Sequence, residues 1–372
     1  MQEWFISRNK HASQQSTQAR KGATFMLVRS KLLKGILSSA LYLIVGYSSF
    51  ILSCHADDAA LASSASATDD LGKFSPQELL SRMSKAFTEL EYTGVFTYEH
   101  GHELESLQIS HRLKDGTEEE RLFHLNGEPW EIVRKGNVVN CARSGDKLMR
   151  FERSTYAGPF STVLADDYIE LNKHYNFSLK SFERIADRQA VKLVIEPKDV
   201  YRYGYTLWID TENGLLLKSA LLNRDKRILE RFQFVRINVG ESLPDSDFLS
   251  RNKQIADQGG SNDKSNAQVA VLPSLKVNWA PEGFSSSDKN QNLSTTKTPA
   301  ADVLMYTDGL AVFSVFIERL LTDNLPVGVA QSGGTVAFAK VLEQLNQNYI
   351  ITVVGEVPLI TAERVAQSIT MD

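Results

Sequence analysis

The sequence predicts an α+β protein in two parts: a large, strongly curved antiparallel sheet wrapped round one or two helices, then a smaller strand-and-helix domain. Three observations predict it. Short runs of β-branched and aromatic residues, separated by polar turns, follow one another from Val95 to Val239. One capped amphipathic segment precedes them at Ser75–Leu90. From about Leu249 to Val269 the composition collapses to Asn, Gln, Ser, Asp, Lys and Gly, which cannot build a core, before strand patterns resume.

The chain has 372 residues, enough for two ordinary domains. Arg20, Lys21, Arg29, Lys31 and Lys34 precede the apolar run Gly35–Leu52, and small residues follow. A basic region, an apolar run and a small-residue exit make a secretory signal peptide. Its length also suits a retained membrane anchor. Cys54-His55-Ala56 gives an ordinary cleavage site before Asp57. Ile51-Leu52-Ser53-Cys54 offers the alternative of a lipoprotein box, which Leu52 fits poorly. Met26-Leu27-Val28-Arg29 opens a more typical short basic region, so residues 1–25 read as an extension. Removing residues 1–56 takes out seven Lys/Arg and one Glu, and the remainder is clearly acidic. An acidic export product excludes nucleic acid as a partner, because that needs a basic footprint. It would keep one cysteine, Cys141, which cannot form an internal disulfide and sits in an alternating apolar run as a small buried hydrophobe.

Residues 57–74 read as a flexible leader and 75–248 as the first domain. Ser75 caps a helix, Pro76 suits its first position and Glu78 completes a capping box. Leu79, Met83, Ala86, Phe87 and Leu90 then recur at helical spacing. Strands are expected at Val95–Tyr98, Leu107–Ile109, Trp130–Val133 and Val138–Cys141, with turns at Lys114-Asp115-Gly116 and Asn126-Gly127. A helix is expected around Val163–Asn172. Strands follow at Phe177–Arg184, Val191–Glu196, Tyr205–Asp210, Leu215–Leu222 and Ile228–Val239, close enough for hairpins. In the last, Ile228, Phe232 and Phe234 fall on one face and Val235, Ile237 and Val239 on the other, so both faces need cover. Residues 249–272 form the linker and 273–372 the second domain. Its strands are expected at Val303–Thr307, Ala311–Glu318, Val336–Val341 and Tyr349–Val354, with a last helix from Thr361 that turns Val365, Ala366 and Ile369 inward.

Catalytic signatures are missing. Gln331-Ser332-Gly333-Gly334 lacks the first glycine of a nucleophile elbow and reads as a turn. There is no phosphate loop, dinucleotide fingerprint or Cys-x-x-Cys pair. His100-Gly101-His102, flanked by Glu99 and Glu103, could offer two imidazoles to a metal, but the central glycine favours a solvated hairpin tip. Glu118-Glu119-Glu120-Arg121 reads as a solvated edge or turn, and Glu183, Arg184, Asp187 and Arg188 as charges paired across a hairpin. The reading is a binding protein with no catalytic residues, metal or cofactor. Phe96, Tyr98, Trp130, Phe151, Tyr203, Tyr205, Trp208, Phe232 and Phe234 all fall in the first strand set. They pack a core or line a concave apolar pocket for a lipid, and composition does not separate the two. Phe96, Trp130, Trp208 and Phe232 are the candidate lipid contacts.

Leu207-Trp208-Ile209-Asp210-Thr211-Glu212-Asn213-Gly214-Leu215-Leu216-Leu217-Lys218 resembles the RseB/MucB family of periplasmic regulators. So do Leu221-Leu222-Asn223-Arg224-Asp225, Leu229-Glu230-Arg231-Phe232 and Arg184-Ile185-Ala186-Asp187-Arg188. Tyr306-Thr307-Asp308-Gly309-Leu310 and Val353-Val354-Gly355-Glu356-Val357-Pro358 extend the match to the second domain. The resemblance runs from about Ser75 to Asp372. It implies a LolA/LolB-like first domain, an unclosed barrel with helices across its mouth that senses lipid. It also implies a smaller domain that holds an anti-sigma factor of the RseA/MucA type. The implied function is a periplasmic brake on the sigma-E envelope stress response that shields the anti-sigma factor from proteolysis and is released by lipopolysaccharide or another lipid. A homodimer is among the expected states.

Overall fold

The computed structural model describes residues 71–143, 149–152, 168–250, 275–286, 302–320, 327–344 and 347–371. The expected signal peptide, the leader up to residue 70, Phe151's side chain and nearly all of the linker lie outside the described residues.

Helix α1 (Pro76–Glu89) starts as its sequence dictates: the Ser75 hydroxyl accepts the Glu78 N–H at 3.1 Å, with Pro76 at the first position. It buries Leu79, Leu80, Met83 and Ala86 completely or nearly so. Strands β1 (Tyr92–His100), β2 (Glu103–Lys114), β3 (Thr117–His124), β4 (Trp130–Lys135), β5 (Val138–Arg143) and β6 (Met149–Glu152) form an antiparallel meander. Helix α2 (Tyr168–His174) leads into a second meander of β7 (Tyr175–Ile185), β8 (Arg188–Pro197), β9 (Gly204–Asp210), β10 (Leu216–Leu222) and β11 (Ile228–Val239). Pairing of β1 with β11 joins the two into one 11-stranded sheet, whose edges are β6 and β7. Because β6 and β7 do not pair, the sheet is an unclosed barrel. Helix α1 lies against both β2 and β7, and so spans the concave side.

A bulge decides which side β11 buries. Phe96 pairs with Phe234, but Val95 pairs with Arg236, which leaves Val235 extra and exposed. One extra residue reverses the alternation. Ile237 therefore returns to the concave side opposite Gly94, next to Phe232 and Phe234, instead of taking the opposite face as expected. Single-sided cover is enough.

Glu118–Arg121 is not a turn but the body of β3, with Glu119 only 5% exposed. Alternate residues find counter-ions on both sides of the sheet: Glu118 and Glu120 meet Arg134, Glu119 meets Arg112 and Lys135, and Arg121 meets Glu131. At the β7–β8 hairpin Arg184 does pair with Asp187, but Arg188 reaches Asp210 and Glu212, and Glu183 binds Lys192. A 3-10 turn at Asp245–Phe248 straps the outer face, where Arg112 stacks on Phe248 at 4.1 Å and donates to the Leu243 carbonyl at 2.9 Å.

The smaller part contains β12 (Leu275–Val277), β13 (Ser285–Ser286), β14 (Asp302–Thr307), β15 (Val312–Arg319), β16 (Gly328–Ser332), β17 (Thr335–Gln344), β18 (Gln347–Gly355), α3 (Leu359–Gln367) and β19 (Ile369–Met371). Six strands pair in the order β13-β14-β15-β18-β17-β16, and β12 pairs with β19. Phe313, Val315, Ile317, Val336, Ile351 and Val353 pack under Ala362, Val365 and Ala366 of α3. Ile369 joins that core from β19 rather than from the helix, because α3 ends at Gln367.

Candidate functional site

Cross-strand pairs place Phe96, Phe232 and Trp130 on the concave side, since paired residues share a face and alternate residues along a strand repeat it. Phe234 pairs with Phe96, Phe96 with Leu107, and Leu107 with His124. The His124 ring then stacks on Trp130 with centroids 5.3 Å apart and planes 19° apart. Phe96 and Phe232 are 4.9 Å apart and Phe232 and Phe234 5.1 Å. Gly94 is required here: a Cβ would sit 2.7 Å from the Phe234 ring and 2.8 Å from the Arg236 carbonyl. The result is an aromatic row across β11, β1, β2, β3 and β4. Trp208 is not part of it. It pairs with Lys192 and Lys218, facing the outer side, where both ammonium groups lie over its ring at 5.2 and 4.5 Å and its Nε1–H donates to Glu183 at 2.7 Å.

A polar cluster borders the row. His111 stacks on Tyr92 at 5.0 Å, and its Nδ1–H donates to the Leu90 carbonyl at the end of α1, 2.8 Å away. Burial alone would raise the Glu118 carboxyl, but His111 and the Arg134 guanidinium outweigh it and hold the group down at about 2. Burial also pushes the Tyr92 hydroxyl far up, with the negative charge of Glu120 adding to it.

His100 and His102 do not converge. His100 closes β1 and is buried, Gly101 turns with φ 58, and His102 is exposed, so the pair brackets a hairpin tip. His100, Glu103 and Glu105 do bring ligand atoms within 4.8 Å of one another. Cys141 is buried, as its apolar run requires.

The two sheets meet through buried polar groups that were not legible in the sequence. Arg202 Nε donates to Asp308 at 2.6 Å, with both side chains fully buried. Tyr175 donates its hydroxyl to the same oxygen at 2.9 Å, and the other Asp308 oxygen accepts the N–H groups of Leu310 and Ala311. Arg202 also binds Asp199 and the Glu282 carbonyl, and lies over the Phe284 ring at 4.9 Å. Nearby, Arg364 stacks on Trp279 at 4.2 Å and Thr361 donates to the Tyr201 carbonyl at 2.8 Å. At a second contact the hairpin tip Gly333-Gly334 seats on Glu230, which accepts the Gly334 N–H at 2.8 Å and the Tyr98 hydroxyl. A Cβ on Gly333 would lie 2.8 Å from that carboxylate. Burial, and then the charge of Glu230, raise the neighbouring Glu356 carboxyl to about 8.

An open antiparallel half-barrel, tied by buried charge to a smaller α+β sheet, defines the class as a two-sheet scaffold. Residues 75–252 match the MucB/RseB N-terminal domain and residues 272–370 the MucB/RseB C-terminal domain. The chain belongs to the MucB/RseB family. It is 36% identical over 293 residues to the sigma factor AlgU regulatory protein MucB of Pseudomonas aeruginosa, across 78% of this chain and 89% of that protein. Identity with the sigma-E factor regulatory protein RseB of Escherichia coli K12 is 27% over 292 residues, with the same coverage. The P. aeruginosa MucA/MucB complex superimposes with a TM-score of 0.63 at 33% identity, covering 80% of this chain and 98% of that one. MucB in complex with the periplasmic part of MucA gives 0.62 at 33% identity, with coverage of 80% and 99%.

Proposed function

We propose that this chain is a periplasmic regulator that binds the periplasmic region of a MucA/RseA-type anti-sigma factor. By holding it, the protein protects it from regulated proteolysis and restrains the sigma-E envelope stress response. The observation that carries this reading is the match across both sheets to MucB, a relative solved with MucA. Family membership adds that curated relatives regulate sigma factors.

Release by lipopolysaccharide or another lipid is the second half of the proposal. It draws support from the concave aromatic row of Phe96, Phe232 and Trp130, an apolar half-barrel interior that would have to open to admit acyl chains, since Phe96 and Phe232 are buried. A homodimer belongs to the same reading, and sedimentation tests it. The experiment for the whole is capture of the protein on the immobilised anti-sigma segment, with and without lipopolysaccharide, followed by a site-1 protease challenge. Capture, protection, and loss of both on adding lipid are expected. Failure to bind in either condition contradicts the proposal.

The aromatic row also favours a second reading, a carrier that hands lipid or lipoprotein to a membrane. Transfer of a bound amphiphile to acceptor vesicles, with no affinity for the anti-sigma segment, would select it. The second sheet speaks against it, because a carrier needs only the half-barrel.

A further inference from the structure

Strand β16 ends the smaller six-stranded sheet, and every one of its residues is exposed. Sheets guard such edges, because a row of unpaired N–H and C=O groups is a template for another strand. The other edges of the two larger sheets are guarded in the usual ways. Strands β6 and β13 are short, and β7 carries Lys180, Glu183 and Arg184, breaks register between Leu179 and Phe182, and has α1 and α2 against it. No charge, proline or bulge guards β16. It reads Gly328-Val329-Ala330-Gln331-Ser332, pairs with β17 in unbroken register and follows Val327; Val327 is 58% and Val329 52% exposed. The turn decides which backbone groups point outward. Ser332 faces Thr335 across the two-residue turn Gly333-Gly334, whose closing hydrogen bond makes that a bonded pair. Bonded and non-bonded pairs alternate along an antiparallel ladder, so Ala330 and Gly328 also bond to β17. The N–H and C=O groups of Val329 and Gln331 therefore face away from the sheet.

We propose that β16 is a self-pairing edge, through which two copies of this chain join antiparallel about a two-fold axis at Ala330. This rests on the homodimer of the reading above and assigns its interface. In that register Val329 of each copy lies opposite Gln331 of the other. These are the residues whose backbone groups point outward, so each pair exchanges N–H···O=C bonds. Both sides of such a joint need free groups at the same spacing, which a second copy supplies by symmetry. Ala330 meets its own counterpart at a non-bonded position, where Cα atoms approach to about 4.5 Å, and its small side chain suits that contact. Val329 stands diagonal to its counterpart, within reach of side-chain contact, which covers the exposed valines. No residue from Val327 to Ser332 is charged, so the axis brings no like charges together. The hairpin tip at Gly333-Gly334 seats on Glu230 of its own large sheet. Antiparallel pairing puts the two tips, and with them the two half-barrels, at opposite ends of the joined strands.

The test is sedimentation velocity, over a range of concentrations, on the purified chain and two variants, Ala330→Lys and Ala330→Glu. Ala330 is exposed, so neither change disturbs the monomer, but each sets two like charges face to face on the axis. Each variant alone is expected to self-associate about tenfold or more weakly than wild type, with an unchanged melting temperature. An equimolar mixture of the two is expected to regain association, because lysine then faces glutamate. Wild type that associates while both variants associate equally well overturns the β16 interface and leaves the homodimer reading standing. Wild type that stays monomeric at every concentration overturns both. Weakened variants that mixing does not restore also overturn the interface, since Ala330 then does not face itself. A variant that melts several degrees lower overturns the placement of Ala330 on a free edge.

Discussion

Asp308→Ala provides the sharpest prediction about what holds the two sheets together. The carboxylate accepts from Arg202, from the Tyr175 hydroxyl and from two backbone N–H groups, all at 2.6–3.0 Å and with no solvent access to the Asp308 side chain. Truncation leaves the Arg202 guanidinium buried with its other partners, the Asp199 carboxylate and the Glu282 carbonyl, but without its buried counter-ion. Removing one member of a buried pair costs about 3–5 kcal/mol. In a thermal melt this corresponds to a fall on the order of 10 °C. Most of that cost is an orphaned charge, so removing both members should recover part of it. Arg202→Met combined with Asp308→Ala is expected to be less destabilised than the sum of those two single variants by about 2 kcal/mol. Urea unfolding of the four proteins in parallel measures the cycle. A single-variant loss below about 1 kcal/mol, or strict additivity, would refute the view that this pair locks the sheets.

Three further outcomes follow from the geometry. Trp130→Ala should weaken amphiphile binding and keep the fold, whereas Trp208→Ala, on the outer face beneath two lysines, should cost about 3 kcal/mol of stability and leave amphiphile binding unchanged; calorimetry and melting on both variants check this. Glu356 holds its proton more tightly when folded, so its contribution is complete below about 4.5, the ordinary carboxyl value, and disappears as pH rises through about 8. Melts from pH 5 to 8 should show wild type losing stability relative to Glu356→Gln. Glu118 behaves in the opposite sense: its contribution is present above about 4.5 and disappears as pH falls through about 2, and Arg134→Gln should flatten that acid limb.

Much of the fold was legible because alternation and turn chemistry are local signals. The Ser75 cap is the plainest case, and most of the expected strands fall inside observed ones. The failures share one cause, a decision taken by a distant part of the chain. Val235 bulges because β11 must match β1, more than a hundred residues earlier, and that reverses the side on which Ile237 falls. Glu118–Arg121 looks solvated until Arg112, Glu131 and Arg134 arrive from neighbouring strands. Trp208 looked like a pocket residue from its type alone, and only the register shows that its face carries lysines. The aromatic row was half legible: Phe96, Trp130 and Phe232 were named, but nothing local distinguishes His124, whose ring nitrogens find no hydrogen-bond partner among the described residues once the sheet is assembled. Arg202 and Asp308 lie in different sheets, and no motif announces their pairing.

The most direct test of the central claim is calorimetric titration of the purified chain with the periplasmic region of the anti-sigma factor from its own organism. Saturable binding with defined stoichiometry, weakened when lipopolysaccharide is present, is the predicted result. Absence of binding to correctly folded protein, with and without lipid, would contradict it.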